Sequence, residues 1–323
     1  MMHRFIFLAA CSVLTLSSAV RAAEPARADS FITLGTMGGP VSHPGRAQPA
    51  NVLLRGNDAY MFDVGDGAAG QLARTGVPVS RVQAIFISHF HFDHTGGLAA
   101  LLGLRYQLDA PGVVTIYGPP GIKQLVDGIL AFMEPGAAIG TGVSGVTHTP
   151  PSEKVRTIEM VDGSKISMGD LTITAAENSH YSFAPGSVEA ERYKSLSFRM
   201  DMPGRSIVYT GDTGPSTAVE KLARNADMLV SEMIDVDMAL DTVRRSNPQI
   251  PETRFKIMQA HLSTHHLTPE MVGQMAARAN VRQVVVTHVA PGSTDDADLA
   301  RYRAGIRRNF RGDITIANDL DRF

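Results

Sequence analysis

The chain has 323 residues, of which 44% are hydrophobic and 19% are charged. This composition is ordinary for a soluble globular protein, and it excludes a disordered chain, a collagen-like fibre and a repeat array. The formal net charge of −2 argues against non-specific nucleic-acid binding, which draws its affinity from lysine and arginine. After residue 30, no apolar run is long enough to cross a bilayer as a helix, so no membrane span is expected.

The N-terminus has the three-part layout of a secretory signal. Residues 1–4 are basic, residues 5–16 are apolar, and residues 17–22 are mostly small. We predict a signal peptide over 1–22, a polar linker over 23–29 and one folded domain over 30–323, hence a periplasmic or secreted protein. An anchor helix and lipidation at Cys11 are the alternatives. Cleavage would remove Cys11, the only cysteine, and would leave neither a thiolate ligand nor a disulfide.

The rest of the chain alternates between short apolar strands and helical segments. The first half predicts strands at 31–34, 51–54, 59–64, 84–88 and 113–117, with helices over 95–108 and up to about residue 133. Residues 134–151 are rich in Gly, Pro, Ser and Thr, and predict a long loop that we interpret as a lid and specificity element. The second half predicts strands at 157–160, 171–176, 196–200, 207–209, 284–287 and 314–316, and helices at 216–224, 269–278 and 296–307. Two sets of strands with helices beside each set predict a layered α/β architecture.

One segment, Ser-His-Phe-His-Phe-Asp-His-Thr-Gly-Gly at 88–97, concentrates potential metal ligands. His89, His91, Asp93 and His94 occupy four of six consecutive positions directly after a buried strand. Imidazole and carboxylate groups are ligands that zinc accepts, and alternation along an extended chain puts His89 and His91 on one side. A solvated polar loop is the simpler interpretation. The phenylalanines at 90 and 92 argue against it, because apolar residues between ligands predict a partly buried site.

This segment resembles the HxHxDH signature of the metallo-β-lactamase superfamily. The resemblance implies a four-layer αββα sandwich and three further ligands at strand ends, which match His180, Asp212 and His288. It implies that His89, His91 and His180 hold one ion, that Asp93, His94 and His288 hold the other, and that Asp212 bridges them. Two Zn²⁺ ions are expected, although manganese or iron can occupy similar nitrogen and oxygen sites.

Within the superfamily, the chain is most similar to the ribonuclease Z and secreted arylsulfatase branch. Leu-Gly-Thr at 34–36 and Asp-Val-Gly-Asp-Gly at 63–67 match that branch, with Asp63 as either a support for the ligands or a simple turn residue. Glu232 and His266 match its catalytic Glu and His pair, in which the imidazolium lies beside the leaving group. His265 and His261 are alternatives for His266. Asp93 is expected to act both as a ligand and in catalysis.

The resemblance implies an exported dinuclear-zinc hydrolase that cleaves a phosphodiester or an aryl sulfate with hydroxide held by the metals. The alternatives are a lactonase or β-lactamase, and a non-catalytic metal-binding protein. A small-molecule ester is the expected substrate, and no nucleic acid is expected, because the segment between His180 and Asp212 lacks the long basic arm that grips transfer RNA in bacterial ribonuclease Z. Tyr181 and Phe183 are candidates to flank the pocket, and packing in the core is the favoured interpretation for Phe183. The branch often forms dimers, so a homodimer is also expected.

Overall fold

The computed structural model describes residues 29–39, 41–145 and 149–323. The predicted signal peptide at 1–22, Cys11 and most of the linker at 23–29 lie outside the described residues. Thirteen strands form two sheets in the described part of the chain, and in both sheets the strands follow one another in chain order. The predicted layered α/β class is therefore confirmed.

The first sheet contains the first six strands. The pairs β1–β2 and β2–β3 are antiparallel, and the pairs β3–β4, β4–β5 and β5–β6 are parallel. Their bounds are β1 Ser30–Gly35, β2 Ala50–Arg55, β3 Asp58–Val64, β4 Val82–Phe86, β5 Val114–Gly118 and β6 Val155–Glu159.

The second sheet repeats this arrangement, with antiparallel pairs from β7 to β10 and parallel pairs from β10 to β13. Its bounds are β7 Lys165–Met168, β8 Leu171–Glu177, β9 Leu196–Met202, β10 Arg205–Tyr209, β11 Met228–Ile234, β12 Gln283–Ala290 and β13 Asp313–Ile316. Because β10, β11 and β12 are parallel, the residues that follow their carboxyl ends meet at one edge of the sheet.

Ten helices lie in the described part of the chain. They are α1 Ala68–Arg74, α2 Phe92–Thr95, α3 Leu98–Gln107, α4 Ile122–Ile139, α5 Val188–Arg192, α6 Thr217–Leu222, α7 Val236–Ser246, α8 Glu252–Thr264, α9 Pro269–Ala279 and α10 Asp296–Arg307. The start of α9 shows why the sequence folds this way. Thr268 caps the helix by accepting a hydrogen bond from the amide of Met271, and Pro269 occupies the first turn, where its missing amide costs nothing.

Three apolar layers hold these elements together. Aromatic residues fill the space between the sheets, where Phe62 and Phe86 stack with their ring centres 5.1 Å apart and Phe198 meets both rings from the second sheet. Residues of α1, α3 and α4 cover the outer face of the first sheet, and residues of α6, α9 and α10 cover that of the second. The result is the predicted four-layer αββα sandwich.

The prediction that residues 134–151 form a lid is wrong. Helix α4 continues through Pro135 to Ile139, because Met133 and Ala137 are buried and keep its last turns against the protein. An 18-residue helix spans about 27 Å, so α4 carries the chain away from the strand ends where it begins. The hydroxyl of Tyr106, at the far end of α3, then donates a hydrogen bond to the carbonyl of Thr149. The described part of this loop therefore lies far from the residues that follow β4.

Seven elements were not predicted from the sequence, namely β7, β11, α1, α2, α5, α7 and α8. Among the residues that the structure describes, no helix combines the length and the apolar character needed to cross a bilayer.

Candidate metal centre

Three imidazoles form the first ligand cluster. The Nε2 atoms of His89 and His180 each lie 3.1 Å from the Nδ1 atom of His91. One Asp212 oxygen, Oδ2, lies 3.8 Å from His89 and 3.9 Å from His180. A tetrahedral zinc ion with ligands at about 2.0–2.1 Å separates neighbouring ligand atoms by roughly 3.3–3.4 Å. The two distances to His91 Nδ1 are close to that value.

The second cluster uses the other oxygen of the same aspartate. Asp212 Oδ1 lies 3.2 Å from His94 Nε2 and 3.1 Å from His288 Nε2. Asp93 Oδ2 lies 3.5 Å from each of these two nitrogens. The two clusters are thus joined through the Asp212 carboxylate, with one oxygen directed to each. All seven predicted ligand residues are brought together at one edge of the sandwich.

Buried polar atoms without partners test whether a metal pair fits here. Asp212 Oδ1, His94 Nε2 and His288 Nε2 are buried and have no hydrogen-bond partner among the described residues. Leaving such atoms unpaired costs free energy, whereas a cation would satisfy all three at once. Burial also lowers the pKa of His89 and His180 well below the usual value. Neutral imidazoles are the form that binds metal, so the first cluster fits a divalent cation as it stands. At the second cluster, burial is outweighed by Asp212 and Asp93, which raise the pKa of His94 and His288, so a cation there would take the place of their protons between the same carboxylates.

The ligands are oriented by hydrogen bonds on their far sides. Asp63 accepts hydrogen bonds from His94 Nδ1, from the amide and hydroxyl of Ser88 and from the hydroxyl of Tyr209, at 2.6 to 2.7 Å. Ser88 Oγ in turn lies 2.9 Å from His89 Nδ1. These contacts keep the proton of each imidazole on Nδ1 and leave Nε2 free for a cation. Asp63 has φ 57°, so it is held in the left-handed region that Asp tolerates better than most residues.

The glycines at the end of the motif are needed because another backbone segment passes close to them. A side chain at Gly97 would collide with the carbonyl of Gly65, which belongs to the turn after β3. On the other side of Asp93, the amide of Gly39 donates a hydrogen bond to Asp93 Oδ2 at 3.1 Å. The loop between β1 and β2 therefore helps to hold a ligand, which the sequence did not reveal.

Glu232 and His266 form a buried pair beside the clusters. His266 Nδ1 lies 3.0 Å from Glu232 Oε2, and the His266 ring lies 4.9 Å from that of His180. Burial alone would lower the pKa of His266, but the charge and hydrogen bond of Glu232 outweigh it and raise that pKa above its usual value. Glu232 Oε1 also accepts a hydrogen bond from the amide of Thr213, which fixes the carboxylate.

The two alternatives to His266 occupy different places. His265 contacts Ser182 Oγ through Nε2 and the carbonyl of Ser179 through Nδ1, so it fastens the segment that carries His180. His261 lies on α8 and lines the cleft, with its ring 5.0 Å from that of His180. Of these three histidines, all within the described part of the chain, His266 is the one that contacts Glu232.

A cleft of about 490 Å³ gives access to both clusters. The β1–β2 loop, the motif at 88–97 and helix α8 provide its walls. Tyr181 flanks the first cluster, with its ring 5.7 Å from that of His91. Phe183 is 41% exposed and contacts Tyr181, so the prediction that it lies in the core is wrong. Phe92 is exposed as well, although the sequence placed it in a partly buried motif.

The family follows from a comparison with known proteins. A model described as "Beta-lactamase superfamily domain" matches residues 59–289, well over half of the chain. With two sheets flanked by helices and His/Asp clusters at the strand ends, the chain belongs to the metallo-β-lactamase superfamily of metal-dependent hydrolases.

Curated relatives narrow this to the ribonuclease Z-like branch. The ribonuclease Z of Mycobacterium avium is 28% identical over 294 residues, which cover 90% of this chain and 96% of the relative. The ribonuclease Z of Mycobacterium tuberculosis is 29% identical over 293 residues, with the same coverage. The resemblance drawn from the motifs is confirmed at this level.

Solved structures share the fold. The metallo-β-lactamase fold protein YhfI from Bacillus subtilis has a TM-score of 0.65 at 18% identity, covering 91% of this chain and 98% of its own. Human tRNase Z, short form, has a TM-score of 0.60 at 23% identity with the same coverage. Yeast PDE1 has a TM-score of 0.59 at 14% identity, covering 90% of this chain and 98% of its own.

Proposed function

We propose that this protein is a metal-dependent phosphodiesterase. The observation that carries the proposal is the pair of clusters that share Asp212 at the base of an open cleft. In this proposal His89, His91 and His180 would hold one cation, Asp93, His94 and His288 would hold the other, and Asp212 would contribute one oxygen to each. Two such cations would supply Lewis acidity, which activates water and stabilises negative charge on the oxygens of the substrate.

The chain's own residues contribute orientation and a proton. Asp63 and Ser88 hold His94 and His89 in the tautomer that ligates through Nε2. His266, whose Nδ1 faces Glu232, directs its other ring nitrogen to the cleft that it lines. Because Glu232 raises the pKa of His266, the ring keeps a proton at Nε2 and donates it to the leaving oxygen. Asp93 orients the second cluster through its contacts with His94 and His288.

Phosphorus is favoured over sulfur and carbon as the atom attacked because the curated relatives are named ribonuclease Z, an activity on RNA phosphodiesters. A small diester is favoured over RNA by the cleft itself. Among the described residues that line it there is no lysine or arginine, whereas proteins that bind a nucleic-acid backbone neutralise several phosphates with these residues. RNA cleavage is the second candidate, and the relatives' names are its support.

A substrate panel tests the proposal. The wild type and His91→Ala are assayed with bis-p-nitrophenyl phosphate, p-nitrophenyl sulfate, a lactone and a precursor transfer RNA. We expect diester hydrolysis by the wild type, with a loss of at least 100-fold in His91→Ala because one ligand of the first cluster is missing. Turnover of the sulfate or lactone alone would replace the phosphodiesterase proposal, and faster cleavage of the RNA would replace the small substrate. No hydrolysis by the metal-loaded protein would favour a non-catalytic metal-binding role.

Export, the domain bounds and the homodimer stay predictions from the sequence. Expression of the full chain with its own N-terminus in a bacterial host tests the first two, because processing before Ala23 predicts a mature protein in the periplasm. Retention of residues 1–22 on a cytoplasmic protein would contradict export. The mass of the mature protein in solution tests the homodimer.

A further inference from the structure

One large apolar side chain stands exposed in the middle of the metal-binding motif. Phe92, between His91 and Asp93, is 89% exposed. Its backbone is fixed, because its carbonyl accepts a hydrogen bond from the amide of Gly96 at 2.7 Å and it begins α2. Phe92 therefore exposes its ring to solvent at the entrance of the cleft. No aromatic partner packs on the ring in the described part of the chain, so its face is free to contact a ligand.

The same cleft has further apolar lining. Met258 and Leu262, which are one helical turn apart on α8, line it together with Phe92. A methionine side chain adapts its shape and makes favourable contacts with aromatic rings. Phe92 and these two residues therefore offer a flat aromatic surface and an adaptable aliphatic one within a single cavity.

The charges in the cleft restrict what the apolar surface can accept. Besides the two clusters, its described lining carries Asp66, Ser42, Gln48, His261 and His266, and none of its described residues is a lysine or an arginine. His266 serves the leaving oxygen in the proposed function, so a second phosphate group would meet no lysine or arginine to neutralise it. The cleft is thus suited to one anionic group at the clusters and a neutral, apolar group beside it.

We propose that the cleft selects phosphodiesters that carry a flat aromatic ring, with Phe92 stacking on that ring and Met258 and Leu262 covering it. This inference rests on the proposed function, since the phosphate lies at the two clusters. Two kinds of substrate share the chemistry, namely a nucleotide diester with its base and a diester of a phenol. Phe92 acts as a specificity-determining residue, and it orients the substrate without taking part in bond breaking.

The test measures binding to the metal-loaded full chain, because binding does not depend on turnover. Dissociation constants are determined by calorimetry for phenylphosphonate and methylphosphonate, which differ in the ring and resist hydrolysis. Stacking on an aromatic side chain predicts that the wild type binds phenylphosphonate roughly tenfold more tightly. In Phe92→Ala this preference falls to about twofold while the affinity for methylphosphonate is unchanged, and Phe92→Tyr retains it.

Phe132→Ala is the matched control. Phe132 is 74% exposed on α4, away from the cleft, so its removal should leave the preference unchanged. A second pair of probes, adenosine 5′-monophosphate and ribose 5-phosphate, distinguishes the two sources of the ring. If the affinity ratio of adenosine 5′-monophosphate to ribose 5-phosphate is larger than that of phenylphosphonate to methylphosphonate, the ring is a nucleobase. If it is smaller, the ring is a phenol.

Two results would overturn the proposal. One is a wild type that binds phenylphosphonate no better than methylphosphonate or does not bind it at all. The other is a Phe92→Ala variant that keeps the full preference. Hydrolysis of bis-p-nitrophenyl phosphate is measured on the same samples. If the preference for the aromatic ligand is absent but the diester is hydrolysed normally, only the aromatic site is refuted. If the diester is not hydrolysed at all, the phosphodiesterase proposal fails.

Discussion

Replacing Asp63 by Asn should weaken both the fold and the metal site. Asp63 is fully buried and accepts four hydrogen bonds, from the Ser88 amide and hydroxyl, His94 Nδ1 and the Tyr209 hydroxyl. Asp63→Asn keeps the size of the side chain, and Asn is also tolerated at φ 57°. The variant therefore changes the chemistry at this position without adding backbone strain.

The magnitude follows from the number of bonds that an amide can replace. The Asn carbonyl can still accept from the Ser88 amide, but its NH₂ group then faces three groups that were donating to Asp63 Oδ2. Both hydroxyls can rotate to accept, while the His94 Nδ1 proton cannot. A lost bond to a charged group and a buried unpaired donor cost about 2–4 kcal/mol together. At about 2 °C per kcal/mol for a domain of this size, the melting temperature falls by about 4–8 °C.

Metal affinity should fall as well, by roughly 10–100-fold, because His94 loses the group that fixes its tautomer. Thermal unfolding followed by circular dichroism and titration of the metal-free protein with zinc measure the two effects. Tyr209→Phe is the graded control, since it removes only one of the four hydrogen bonds and should cost about 1 kcal/mol. Unchanged melting temperature and zinc affinity in Asp63→Asn would refute the reasoning.

Three further predictions concern the pair, the metals and the cleft. His266→Ala should slow the hydrolysis of esters with poor leaving groups at least tenfold more than that of nitrophenol esters, whose leaving group needs little protonation. His265→Ala should slow the hydrolysis of both kinds of ester alike. Equal losses on both kinds of ester in His266→Ala would refute the role of His266 as general acid. Chelation should lower the melting temperature by roughly 16 °C, because a thousandfold excess of metal over its Kd contributes about 4 kcal/mol for each of the two ions. Added zinc should restore the melting temperature, and no change on chelation would mean that the clusters hold no metal. Asp319 accepts hydrogen bonds from Thr36, Ala47 and Gln71, and these bonds fasten the β1–β2 loop. Asp319→Ala should therefore lower the melting temperature by about 5 °C while the metal content is retained. Loss of metal in this variant would show that Asp319 supports the metal site instead.

The sequence predicted the fold and the gathering of the ligand residues because these depend on local patterns. Buried strands such as β4 and β12 contain short apolar runs. His89 follows β4, and His288 lies near the carboxyl end of β12. Parallel pairing brings such residues to one edge, so their order along the chain was sufficient. The Glu232 and His266 pair was predicted only from the resemblance to the ribonuclease Z branch, since β11, which carries Glu232, was not predicted, and the role of the pair stays a prediction.

The missed elements depended on contacts that are distant in the sequence. Strand β11 carries Glu232, yet Ser231 and Glu232 interrupt its apolar run. Both are buried: Glu232 accepts a hydrogen bond from the distant amide of Thr213, and the Ser231 hydroxyl donates to the carbonyl of Glu232. Helix α8 has no clear apolar face because one of its sides lines the cleft. Tyr209 could not be recognised as a partner of Asp63, since the two are 146 residues apart and meet only when the sheets stack.

The misplaced lid has a simple physical cause. Residues 134–145 are exposed for the most part and rich in glycine, which is typical of a functional loop, but composition does not reveal at which end of the sandwich a loop lies. The length of α4 decides that, and Pro135 hid its last turns from the sequence pattern. The β1–β2 loop and α8 occupy the place that this loop was expected to fill.

The metal content of purified protein, measured by mass spectrometry of the elements, tests the central claim most directly. Two divalent ions per chain are predicted for the wild type, and one for His288→Ala, which removes a ligand of the second cluster and leaves His89, His91 and His180 in place. A wild type that binds no metal, or a His288→Ala variant that binds as much as the wild type, would contradict the account.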